Sequence, residues 1–124
     1  MSEAHDAFST IIHIKSGGII HGGHFVVMSS STVVEASGAQ TSFGVLAQTE
    51  DCASGDIAPI CVLGPMKAWC DGTSAIAIGA YIACDSSGHG VVDTTASHHI
   101  QGMALEALAS GLAFLEILVV PSQG

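Results

Sequence analysis

From about residue 16 onward the chain alternates short apolar runs with turns rich in glycine and serine. "HFVVM" and "AYIAC" are each preceded by glycine, and "TVVEA" and "GVVDT" open on the turns "SSST" and "SSGHG". Short β-branched runs bounded by turn residues predict strands. After them come "FGVLAQTE" and "IQGMALEAL", the turns "ASGD" and "ASG", and then "IAPICVLG" and "LAFLEILVV". Residues 100–109 lack proline and could form a helical turn, but their counterpart at 43–49 contains Phe, Gly, Val and Thr, which favours strand for both. The pattern predicts roughly ten short strands, hence a mostly-β fold: a small antiparallel β-barrel or sandwich.

The two members of each pair of runs lie in two halves of the chain. At an offset of 56, Gly23 aligns with Gly79, Phe25 with Tyr81, Val26 with Ile82 and Ser30 with Ser86. The offset becomes 58 for Val33-Val34-Glu35 against Val91-Val92-Asp93 and for Gly44 against Gly102. It returns to 56 for Ser54-Gly55 against Ser110-Gly111 and Cys61-Val62 against Ile117-Leu118. Both gaps fall at turns, where insertions are tolerated. The expected organisation is an extended N-terminal arm over residues 1–15 and one β-domain over 16–124. That domain would hold two similar repeats of about 56 residues, at about 16–64 and 72–121. The apolar segment "LGPMKAWC" (63–70) is expected to be the loop that joins them.

Composition narrows the function classes. The 124 residues suit one compact domain, and charged residues make up 10% against about 25% in an ordinary soluble domain. Eleven carboxylates face only Lys15 and Lys67, with no arginine, for a formal net charge of −9. Nucleic-acid binding depends on cations that displace phosphate counterions, so neither nucleic acid nor an anionic membrane is an expected partner. "MSEAHDAFST" is acidic where a signal peptide is basic. Glu116 interrupts the longest apolar run, which is too short to span a bilayer, so synthesis in a cytosol is expected. Cys52, Cys61, Cys70 and Cys84 form no CxxC pair and lie in or beside apolar stretches, which favours buried free thiols over a disulfide or a zinc site.

The repeated phrase is a strand, a small-polar turn, Val-Val-acid, a Gly-Val or Gly-Met-Ala strand, "SGD" or "SG", and a closing apolar strand. It resembles the small capsid decoration (cement) proteins of tailed bacteriophages. The second half, "GAYIACDSSGHGVVDTTASHHIQGMALEALASGLAFLEILV", carries most of the resemblance. The resemblance implies a β-domain on the outer surface of an expanded head. There it would bind the major capsid protein as a homotrimer at threefold and quasi-threefold positions and stabilise the shell without catalysis. The arm residues Ser2, Glu3, His5, Asp6, Phe8 and Ile11 are candidates for capsid contact, since a free arm can add a strand to a neighbour's edge. Met66, Trp69, Glu106 and Glu116 are candidates for subunit contact. Trp69 could instead plug the seam between the repeats, and the two glutamates could face solvent.

Seven histidines raise the question of a metal. His21 and His24 are spaced i, i+3 and His98 and His99 are adjacent; on a strand both spacings place the pair on opposite faces. Glu35 follows the first pair, but the HxH of metal-binding cupins is missing. No metal and no cofactor is therefore expected. No nucleophile elbow, phosphate loop or dinucleotide fingerprint is present, so no enzyme is expected. The alternatives are a small ligand- or glycan-binding β-module, disfavoured for sugars by only six aromatic residues (one Trp, one Tyr and four Phe), and, less favoured, a histidine-dependent metal-binding barrel protein.

Overall fold

The structure, a computed structural model, describes residues 9–37, 42–93 and 100–123. Among these residues there are nine strands and no helix. They are β1 (Thr10–Lys15), β2 (Phe25–Ser29), β3 (Thr32–Glu35), β4 (Gly44–Leu46), β5 (Ile57–Asp71), β6 (Tyr81–Cys84), β7 (Gly90–Val92), β8 (Ile100–Ala104) and β9 (Leu112–Gln123). The fold is the expected mostly-β class, and it is a barrel. Strands β5, β7, β6, β8 and β9 pair in that order, and β9 returns to β5 to close a five-stranded ring. All strand pairs are antiparallel except β5–β7, which meet in parallel at Cys70 and Gly90.

The first half arranges its strands the same way. β3 pairs β2, β2 pairs β4, β4 pairs the N-terminal part of β5, and β1 lies on the other side of β5. A parallel bridge between Ser16 and Val33 joins the end of β1 to β3. Closing sheets into rings removes exposed strand edges, an advantage for a chain with few charges to guard them.

The segment expected to be a loop at 63–70 is instead the middle of β5, which runs unbroken for 15 residues. Gly64 makes this possible: its φ of 111° is open to glycine, and it turns the strand where its pairing passes from β1 and β4 to β9. Leu63-Gly64-Pro65 has turn composition, but here it bends one strand shared by both rings. β1 occupies the last six residues of the expected arm, pairing antiparallel with β5 from Thr10–Leu63 to Lys15–Ile57. Its role towards β5 matches that of the end of β5 towards β9, where Asp71 pairs Leu112.

Each ring is filled by its inward side chains. Ile20, Val26, Val33, Leu46, Cys52, Ala58 and Ile60 form the first core. Ala68, Cys70, Ile76, Ile82, Ala104, Leu115 and Ile117 fill the second, in one cluster with seam residues Phe25, Val27, Val45, Cys61 and Met66. All four cysteines are free; Cys52, Cys61 and Cys70 are buried and Cys84 is half-buried. Backbone hydrogen bonds stitch the seam, from Phe25 N–H to Gly88 O (2.9 Å) and from Trp69 N–H to Gly23 O (2.9 Å).

Hydrogen-bonding register also corrects one alignment. Val26 pairs Glu35 in the first half and Ile82 pairs Val92 in the second, so Glu35 corresponds to Val92 and not to Asp93.

Candidate functional site

Of the expected capsid-contact residues, Ser2, Glu3, His5, Asp6 and Phe8 lie outside the described residues. Ile11 sits on β1 opposite Cys61, half-buried against the larger core. Met66 is a core residue. Trp69 is half-buried at the seam, edge-on to Phe114 with ring centroids 4.8 Å apart. Gly23, at φ 72°, lies so close that a Cβ there would come 2.6 Å from Phe114 Cε1 and 2.9 Å from Trp69 N. Glu116 N–H donates to Glu106 Oε1 at 2.7 Å, and Lys67 Nζ lies 4.0 Å from Glu106 and 3.9 Å from Glu116. Long ion pairs of this kind at a surface contribute little stability.

The seam also opens into a cleft of about 560 Å³. His21, Gly22, His24, Glu35, Thr49 and Asp51 line it from the first half, and Trp69, Ser87, His89 and Phe114 line it from β5, the β6–β7 turn and β9. His21 and His24 do not alternate across a strand. Residues 21–24 form a turn closed by His24 N–H to His21 O (3.1 Å), which brings both rings to one side. Asp51 Oδ1 accepts the Gly22 N–H at 3.0 Å and holds the turn from below. Glu35, at the end of β3, then faces both rings: its Oε1 accepts the His21 N–H at 2.8 Å and lies 2.9 Å from His21 Nδ1 and 3.3 Å from His24 Nδ1.

The two rings sit in different environments. His21 is exposed, and its hydrogen bond to Glu35 raises its pKa above 6.5. His24 is 7% exposed, and burial is the main cause that lowers its pKa below 6.5. Its Nδ1 is 3.1 Å from Ser87 O, and its ring is 5.0 Å from that of His89. One ligand atom from each of His21, His24 and Glu35 falls within 4.8 Å of the others, and the same holds for Asp71, Asp85 and His89. In the second group, turn geometry already engages the carboxylates. Asp85 Oδ1 accepts the N–H groups of Ser87 and His89, and Asp71 Oδ1 accepts from Thr73 N and Oγ1. Adjacent His98-His99 lie outside the described residues. The i, i+3 spacing concealed the first group, because strand alternation does not govern a turn.

A five-stranded ring closed between β9 and β5, joined through the long β5 to the strands of the first half, defines a small β-barrel protein. The sequence model of the phage cement proteins matches residues 5–120, and the chain belongs to that family. Its members are structural, and membership supports a role in association with a phage capsid. Among solved structures, the head fiber gp8.5 N base of bacteriophage phi29 is similar, with a TM-score of 0.65 and 14% identity. The alignment covers 94% of this chain and 98% of that one, a likeness of fold. No curated protein sequence matches the chain.

Proposed function

We propose that this protein decorates the outer surface of an expanded phage head, bridging copies of the major capsid protein and stabilising the shell without catalysing a reaction. The observation that carries this reading is membership of the cement family over almost the whole chain. The charge distribution supports it: a formal net charge of −9 keeps free copies apart in the host cytoplasm and favours docking on cationic groups of the shell. Ser2, Glu3, His5, Asp6 and Phe8 are the proposed capsid contacts, with Ile11 in the sheet at their base.

A difference between the halves supports self-association into a homotrimer. In the first half Phe25 and Val45 are paired across β2 and β4 and fully buried, with Phe25 against the β6–β7 turn of the second half. At the corresponding places in the second half, Tyr81 pairs Met103, but Tyr81 is 56% exposed. Exposed Ile78 and Leu105 lie nearby, since Gly79 N–H and Ala80 O both bond to Ala104. The turn that would receive this face in another copy is β2–β3, where Met28 is exposed. A head-to-tail contact of this kind is heterologous and closes into a ring when the rotation permits. Three chains would place six barrels in one ring, suited to threefold and quasi-threefold positions.

Co-sedimentation with expanded, undecorated heads of its own phage tests the proposal. Saturation at a fixed ratio to the major capsid protein, with little binding to unexpanded procapsids, is expected. Absence of binding at micromolar protein would overturn it.

A further inference from the structure

We propose that His21, His24 and Glu35 form a binding site for a divalent first-row transition ion of the zinc type. Two imidazoles and one carboxylate are a donor set that such ions accept, leaving a position for water or a further ligand. Calcium and magnesium prefer shells built from oxygen, which this group does not supply. The ligands come together from the 21–24 turn and the end of β3, and the cleft gives an ion a path from solvent. His24 is buried, and Ser87 O on the opposite half, 3.1 Å from its Nδ1, fixes the ring.

The site belongs to one half alone. The places that correspond to His21, His24 and Glu35 hold Ala77, Ala80 and Val92, none of which can ligate. One ion per chain is therefore the expected stoichiometry.

The test uses the untagged full-length chain, stripped with a chelator at neutral pH and titrated with Zn²⁺ alone by calorimetry and with Co²⁺ alone by visible absorption. Saturation at one ion per chain is expected, with a cobalt d–d band. Glu35→Gln and His24→Ala should each weaken binding by roughly ten-fold or more. His21→Ala provides a variant at an exposed ring should His24→Ala fail to fold. His13→Ala, on the exposed side of β1, and joint replacement of His5, His98 and His99 should leave affinity unchanged. No saturable binding at millimolar ion would overturn the proposal. So would affinity that survives Glu35→Gln and His21→Ala, or that is lost with His5, His98 and His99.

Discussion

Phe25 and Tyr81 occupy corresponding places in the two halves, and replacing each with alanine separates packing within the chain from packing between chains. Phe25 is fully buried, within reach of Gly90, where a Cβ would lie 3.1 Å from Phe25 Cε1 and 2.9 Å from Cys70 Sγ. Such a tightly filled site collapses poorly around a void, and Phe→Ala in a core costs about 3–5 kcal/mol. Against a total stability of roughly 5–15 kcal/mol, that loss lowers Tm by about 10–20 °C for a chain of this size. Tyr81 is 56% exposed in the single chain, so Tyr81→Ala should move monomer stability by no more than about 0.5 kcal/mol. If Tyr81 anchors the head-to-tail contact, its loss should cost about 2 kcal/mol per interface, roughly 30-fold in affinity. Urea unfolding at low protein concentration reads the first effect. Sedimentation equilibrium and saturation of expanded heads read the second. The expected result is that Phe25→Ala unfolds early at every concentration, while Tyr81→Ala folds normally and fails to trimerise. A Tyr81→Ala protein that trimerises like the parent, or is as unstable as Phe25→Ala, would refute the reasoning.

Gly64→Ala forces a side chain into a φ of 111° at the bend of β5, so it should lower the urea midpoint by a strain of about 1–3 kcal/mol with an unchanged m-value; an unchanged midpoint would show that the bend relaxes. Asp71 has its carboxyl pKa held below 3.8, chiefly by the Thr73 hydroxyl, so its contribution to stability is present above pH 3.8 and is lost as pH falls through the lower folded value. Thr73→Ala should move the Asp71 carboxyl pKa, followed by NMR, back towards 3.8. Burial pushes the thiols of Cys70 and Cys84 up to about 12, so both should resist alkylation at pH 8 in the folded protein and react on unfolding, as counted by mass spectrometry.

How much of this was legible in the sequence depends on the range of the rule applied. Turn residues and β-branched runs are local signals, and they located the strands that became β2 to β4 and β6 to β9. Pairing across the seam is not local. Leu63-Gly64-Pro65 reads as a break because glycine and proline usually end strands, but β1 and β9 pair either side of the bend and hold one strand through it. The same long-range pairing drew residues 10–15 out of the expected arm, although "TIIHIK" has no preceding glycine turn to announce it. Met66 looked like an interface residue because an apolar loop would expose it; within a strand, alternation turns it inward.

The histidine cleft was hidden by two errors of one residue's scale. An i, i+3 pair separates on a strand and converges on a turn, and Gly22-Gly23 make residues 21–24 a turn. Aligning Glu35 with Asp93 then made the acidic position look like a shared feature of both halves. Hydrogen bonding sets Glu35 against Val92 instead, so the carboxylate between His21 and His24 is specific to the first half. If packing alone had shaped both seams, the first half would need no carboxylate where the second has valine. On the proposed readings, the asymmetry assigns the histidine cluster to ion binding at the intrachain seam and the exposed Tyr81 face to a contact made by packing between chains.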